Sequence, residues 1–177
     1  MKKIVNAFLC LFCISTSFIF SEEQPKKTVI YTDIAGDMLH AGHMEFFKKA
    51  RALGDYFIVG ILADDVIEGY KRKPILSLEE RAKMLEACKY IDKVIIAPPL
   101  RLTEEMIEDL QITYVVRGDD FSPELLEDQY GLALKLGILR MVPYTQGIST
   151  SDIIKRITTR YNEGEFGGPG CKCNQNP

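Results

Sequence analysis

Thr28-Val29-Ile30-Tyr31-Thr32-Asp33-Ile34-Ala35-Gly36-Asp37-Met38-Leu39-His40-Ala41-Gly42-His43 is the stretch on which the fold turns. Its first five residues are β-branched or aromatic and predict a strand over 28–32. A glycine-containing loop then carries the chain to His40. From Gly42 the apolar residues Met44, Phe47, Ala50 and Leu53 recur at helical spacing, and Gly54 stops the helix. A strand handing over to a helix through a short loop is the first half of a βαβ unit.

The same alternation continues outward. Tyr56–Leu62 has the continuous apolar character of a strand buried on both faces. A short helix is expected over Asp64–Gly69, and a loop over 70–76 holding Lys71, Arg72, Lys73 and Pro74. Ser77-Leu78-Glu79-Glu80 is a capping box, so a helix starts there and is expected to run to about Tyr90. Strands are predicted at 94–97, 113–116 and 138–142, with helices over 103–110, from Ser122-Pro123 to near Gly137, and from Ser149-Thr150-Ser151-Asp152 to about Tyr161. Five strands separated by helices predict an α/β domain, a Rossmann-like five-stranded parallel sheet with helices on both faces. Ligands in such folds bind at the carboxyl ends of the strands. The loops 33–43, 63–74, 98–103, 117–122 and 143–151 therefore matter most.

Composition narrows the function classes. The chain has 177 residues, 46% of them hydrophobic, enough for one domain with a real core. A net charge of −3 argues against a basic nucleic-acid binder. Residues 1–21 differ from the rest: Lys2-Lys3 precede a mostly apolar run over 4–20, and the chain turns polar at Ser21-Glu22-Glu23. This reads as a signal peptide or membrane anchor. Residues 28–161 are the expected domain, and 162–177 a disordered glycine-rich tail. Cys10 and Cys13 fall in the apolar run, Cys88 in a helical pattern that suggests a core thiol, and Cys171 and Cys173 in the tail; no disulfide framework is expected.

There are only two histidines, His40 and His43, three apart at the start of the first helix. Any imidazole chemistry must happen there. Residues three apart share a helix face, and the free N–H groups of a helix N-terminus favour a phosphate. Two imidazoles beside them add donors for charge developing on phosphorus. A metal pair is the alternative, but it lacks a third and fourth ligand, and no metal ligand is assigned; chance placement is the other.

His40-Ala41-Gly42-His43 after a first strand resembles the nucleotidyltransferase superfamily of cytidylyltransferases and related adenylyltransferases. Asp33 and Asp37-Met38-Leu39 before it, and Ala50-Arg51-Ala52-Leu53-Gly54-Asp55 after it, look like that family's first motif and helix. Glu80-Arg81 with Cys88-Lys89-Tyr90-Ile91-Asp92-Lys93-Val94, then Arg117-Gly118-Asp119-Asp120, then Gly147-Ile148-Ser149-Thr150-Ser151 resemble three further motifs in the same order, over residues 28–158. The best match is with the cytidylyltransferases of phosphoethanolamine, phosphocholine and glycerol 3-phosphate. The resemblance implies the nucleotidyltransferase fold and transfer of a cytidylyl group from CTP to a phosphorylated alcohol, phosphoethanolamine favoured, giving a CDP-alcohol for phospholipid headgroup synthesis and pyrophosphate.

It also implies roles. His40, His43 and Lys71 are the expected catalytic residues. Ala35, Gly36, His40, His43, Asp119, Thr145, Gly147, Ile148, Ser149 and Thr150 are expected to bind the nucleotide, and Asp37 and Lys71 the acceptor. Lys71 lies ten residues before Arg81, the family's spacing for its lysine; a flexible loop cation can bridge phosphates, and Lys73 is its neighbour and competitor. Ser149 by itself reads as a plain N-cap, and Asp119 as a loop cap. Tyr130 or Tyr144 could offer an aromatic face to a cationic headgroup. Mg2+ is expected with the triphosphate, and a homodimer through the first-motif side. The departures are Ile34 and Gly36 where the family has Gly and an aromatic, Lys89 for an Arg, and Tyr144 for an Arg that contacts phosphate, with no cation near it in sequence. The competing readings are an adenylyltransferase on a sugar phosphate and an exported nucleotide-binding protein with little turnover.

Overall fold

The computed structural model describes residues 26–166. The expected leader 1–21, residues 167–177 of the expected tail, and Cys10, Cys13, Cys171 and Cys173 lie outside the described residues. The elements run β1 (Val29–Ile34), α1 (Ala41–Arg51), β2 (Tyr56–Ile61), α2 (Asp64–Tyr70), α3 (Leu78–Glu86), β3 (Lys93–Ile96), α4 (Glu104–Asp109), β4 (Tyr114–Gly118), α5 (Pro123–Lys135), β5 (Leu139–Val142) and α6 (Thr150–Asn162).

All strand pairs are parallel, in the order β3-β2-β1-β4-β5. Strand order reverses between β1 and β4, which is where a doubly wound sheet opens a crevice at its carboxyl edge. Alternate residues of β1 face opposite sides. Ile30 joins Phe47 and Ala50 of α1 and Ala82 and Leu85 of α3 on one side. Val29 and Tyr31 join Tyr130 and Ala133 of α5 and the apolar side of α4 on the other. Helices thus cover both faces, and both clusters exclude water from the middle of the sheet.

Two boundaries differ from expectation for physical reasons. The strand expected to end at Thr32 continues to Ile34, paired with Ile61. Asp33 reads as a surface residue but sits buried in the strand because Arg117 of β4 pairs with it. The helix expected to reach Tyr90 ends at Glu86, with Ala87 as its C-cap. Asp92 recruits the chain into β3 instead: its carboxylate accepts from the Phe57 N–H at 2.7 Å, and its own N–H donates to the Phe57 carbonyl at 2.9 Å. Cys88 therefore lies beyond the helix, half-buried, with its sulfur 4.0 Å from that of Met44. The Ser77 capping box forms as read, Ser77 accepting from the Glu80 N–H and Glu80 from that of Ser77.

Candidate active site

The loop after β1 ends at His40, whose extended backbone makes it the N-cap of α1. Its N–H donates to His43 Nδ1 at 3.4 Å, and the two rings lie with centroids 4.0 Å apart. An imidazole that accepts at Nδ1 carries its proton on Nε2. Burial, then the neighbouring His40, then the Lys71 charge pull the His43 pKa down to about 4, with Asp37 acting weakly the other way. His43 is thus a neutral imidazole with an Nε2–H donor at neutral pH. His40 is also shifted down by burial, against the opposing charge of Asp152, and its buried Nδ1 has no hydrogen-bond partner among the described residues.

Gly42 makes this close approach possible. A Cβ there would come within 3.0 Å of the His40 ring and 3.1 Å of the Ile148 carbonyl oxygen. The helix N-terminus is clasped between the His40 ring and the loop before α6, and any larger residue would push one of them back by a few tenths of an ångström. Gly42→Ala is expected to displace the His40 ring and lower kcat/KM by about tenfold or more, as steady-state kinetics would show.

Lys71 ends α2, with its N–H on the Ile67 carbonyl at 2.9 Å and its side chain exposed. Its charge reaches His43 across the loop. What holds this loop is Asp37. The carboxylate accepts from the N–H groups of Ile75 and Leu76 at 3.1 Å and from Arg72 Nη2 at 2.9 Å. Burial pushes the Asp37 pKa up, but those donors outweigh it and hold the group below the usual carboxylate range. Asp37, expected to face the acceptor, fixes the strap that carries Lys71 through its carboxylate. Lys73 is exposed, and its carbonyl accepts from Arg72.

Ser149 is the N-cap of α6, sharing a capping box with Asp152. Thr150 Oγ1 donates to the Asp37 carbonyl at 2.8 Å and ties α6 to the loop after β1. The structure thus brings His40, His43, Asp37, Lys71, Ile148, Ser149 and Thr150 together. Gly36 and Gly147 hold positive φ, +62° and +101°. Ala35 lends its carbonyl to Arg81. On the adjacent pair of loops, Asp119 accepts the Tyr144 N–H at 2.7 Å.

Three residues were missed. Lys49 of α1 places Nζ 2.8 Å from the Pro143 carbonyl and 3.3 Å from Thr145 Oγ1. No cation stands near Tyr144 in sequence, and the fold brings Lys49 to its neighbours Pro143 and Thr145 from 94 and 96 residues away. Arg81 has a side chain with 0% exposure. It donates to the carbonyls of Leu76, Ala35 and Leu62 and pairs with Asp64, bracing three loops of the site from below. Its spacing with Leu78, Ala82 and Leu85 puts it on the buried stripe of α3, a signal present in the sequence. Arg117 pairs with buried Asp33.

The described residues contain no cluster of three or more His, Cys, Asp or Glu side chains suited to a metal. What the assembled groups suit is a polyphosphate: a helix N-terminus, imidazole N–H donors and a tethered ammonium, all at the carboxyl edge of a parallel sheet.

Comparison with known proteins gives the following. The Cytidylyltransferase-like family model matches residues 37–156. The ethanolamine-phosphate cytidylyltransferase of Dictyostelium discoideum is 42% identical over 76% of this chain and 39% of its own length. That of Arabidopsis thaliana is 36% identical over 77% of this chain and 34% of its own length. The bifunctional protein HldE of Syntrophotalea carbinolica is 35% identical over 81% of this chain and 29% of its own. The chain thus spans well under half the length of these curated relatives. Among solved structures, the lipopolysaccharide core biosynthesis protein of Thermoplasma volcanium superposes with a TM-score of 0.56 at 21% identity, over 70% of this chain and all of that one.

Proposed function

The chain belongs to the cytidylyltransferase-like family, and on that premise we propose that it moves a cytidylyl group from CTP to a phosphorylated alcohol, phosphoethanolamine foremost. A phosphate oxygen of the acceptor attacks the α-phosphorus of CTP, and the bond to the bridging oxygen breaks. Pyrophosphate leaves with the bond's electron pair, and the product is a CDP-alcohol, the activated form of a phospholipid headgroup. The identity with the ethanolamine-phosphate cytidylyltransferases of two organisms supports the choice of nucleotide and acceptor.

The observation that carries the reading is the close His40–His43 pair at the N-terminus of α1, with a neutral His43 beside the charge of Lys71. Donors that are already oriented stabilise charge as it moves to the equatorial and leaving oxygens, without reorganising. His43 Nε2–H and the His40 ring serve the triphosphate. Lys71 bridges it to the acceptor phosphate, at a position set by the hold of Asp37 on residues 72–76. Ser149, Thr150 and the N-terminus of α6 close the phosphate site, with Ala35, Gly36, Thr145, Gly147 and Ile148 forming its backbone walls and Asp119 the nucleoside side. Lys49, reaching Thr145, supplies the positive charge that Tyr144 lacks. Mg2+ would come with the triphosphate and shield its charge, since the described residues offer no cluster of three or more carboxylate, imidazole or thiol ligands to hold it. A homodimer and attachment to a membrane through residues 4–20 belong to the same proposal. Among the described residues no helix is long and apolar enough to cross a membrane.

Pyrophosphate release tests the reading. With Mg2+, CTP and phosphoethanolamine should give release well above that with ATP, glycerol 3-phosphate or a heptose phosphate. No release with any pair at high protein concentration would overturn it. Lys71→Ala should lower kcat by about 10²-fold, the usual cost of one charged transition-state contact, whereas Lys73→Ala should change it by less than about threefold.

A further inference from the structure

Beneath the carboxyl edge, on the α5 side of the sheet, lies a slot with the chemistry of a receptor for an organic cation. Its walls are the rings of Phe121 and Tyr130, and its base is the carboxylate of Asp33, only 4% exposed. Aromatic faces with a buried carboxylate attract cations of low hydration, quaternary ammonium above all. In this chain the slot already holds a cation of its own. The guanidinium carbon of Arg117 stands 4.3 Å from the Phe121 ring centre and 4.7 Å from that of Tyr130. Arg117 Nη1 donates to Thr32 Oγ1 and Asp33 Oδ1 at 3.3 Å and to the Asp33 carbonyl. Tyr130 completes the set, its hydroxyl donating to Asp33 Oδ1 at 2.6 Å. The aromatic face expected of Tyr130 is real, and its partner is internal.

The slot lies near Lys71, the residue proposed to meet the acceptor phosphate. Tyr70, immediately before Lys71, is half-exposed and lies within the field of both Asp33 and Arg117. Asp33 ends β1 at the start of the loop that leads to His40. Three buried side-chain polar atoms lack partners among the described residues, His40 Nδ1, Tyr31 Oη and Arg117 Nε, and all three belong to this edge. Buried polar atoms are normally paired, and these three are open to a water or a ligand atom.

We propose that Arg117 sets the acceptor: by filling the Phe121–Tyr130–Asp33 slot, its guanidinium keeps a trimethylammonium headgroup out and confines the enzyme to acceptors with small, well-hydrated headgroups. This rests on the transferase reading for the choice of acceptors, while the occupancy of the slot is a separate matter. A primary ammonium forms ordinary hydrogen bonds at the mouth and needs no aromatic enclosure. A trimethylammonium has no N–H to donate and depends on the enclosure that Arg117 occupies.

The test compares phosphocholine with phosphoethanolamine in the intact chain and in Arg117→Ala. The intact chain should prefer phosphoethanolamine by at least about tenfold in kcat/KM, and the variant should raise the phosphocholine-to-phosphoethanolamine ratio by about tenfold or more. An unchanged ratio in the variant, or an intact chain that uses both acceptors equally, overturns the proposal. Because Arg117→Ala leaves Asp33 buried without its partner, Arg117→Ala/Asp33→Asn opens the aromatic slot without the stranded charge but also without the carboxylate at its base, and a rise in ratio smaller than in Arg117→Ala is expected. Unfolding temperature in tetramethylammonium chloride, against equal sodium chloride, reads the slot without turnover. Arg117→Ala should be stabilised and the intact chain not. Equal response of the two overturns the proposal even if no acceptor is turned over, an outcome that by itself refutes only the transferase reading.

Discussion

Replacing His43 by alanine is expected to lower kcat for CDP-alcohol formation by about 10²–10³-fold, with the circular dichroism spectrum unchanged. The ring contributes little to the fold, since its capping contact with the His40 N–H is long, at 3.4 Å. Its contribution is electrical. The imidazole is neutral, its proton is fixed on the outward nitrogen by the contact at Nδ1, and it stands beside the first free N–H groups of α1. Truncation removes one of the oriented donors from the displacement at phosphorus, and water cannot restore it in the same orientation.

The pH dependence separates this role from that of a charged imidazolium. A pKa held at about 4 instead of 6.5 keeps His43 uncharged as pH falls through the ordinary imidazole range. kcat should therefore hold through pH 6.5 and decline only toward pH 4. A pH–rate profile with its acid limb centred near 6.5 would assign the work to a different group. Stability follows the same group. Between about 6.5 and 4 the unfolded chain binds a proton at His43 that the folded chain refuses, so this residue's contribution makes the fold less stable as pH drops through that window.

Arg81→Met is the second large effect, and it falls on the fold. Arg81 is fully enclosed and donates to three carbonyls and one carboxylate. Removing the guanidinium leaves the Leu76, Ala35 and Leu62 oxygens without that donor and Asp64 without its cation. Asp64 is 43% exposed and regains water, but each buried carbonyl left without its donor costs about 1–3 kcal/mol, so the loss is a large fraction of the total stability of about 5–15 kcal/mol typical of a domain. Urea unfolding should show the midpoint falling accordingly. Arg81→Lys should recover only part of the loss, because one ammonium cannot span acceptors arranged for a planar fork. A variant within about 0.5 kcal/mol of the intact chain would show that Arg81 is a passenger in the core.

Much of this molecule can be read from hydropathy and punctuation. Strand β1, the first helix, the Ser77 capping box, the Ser149 N-cap and the Ser122-Pro123 start of α5 all announce themselves locally, because capping and periodicity are local physics. The histidine pair was also legible, as a strand-to-helix turn at a sheet edge. What escaped was burial purchased by pairing. Asp33, Arg81 and Arg117 look like surface residues and lie in the interior, each held by a partner from a distant segment. Lys49 escaped because its contact with Thr145 spans most of the domain. Asp37 was recognised as important, but the recipients of its carboxylate, the N–H groups of Ile75 and Leu76, are backbone atoms, which no residue pattern marks.

The most direct measurement is transfer of label from CTP carrying 32P at the α-phosphate, incubated with the chain, Mg2+ and phosphoethanolamine. The account predicts that the label moves into CDP-ethanolamine, with one pyrophosphate released for each molecule formed, and that His43→Ala nearly abolishes the transfer. Label that stays in CTP at high protein concentration, with no pyrophosphate released, would contradict it.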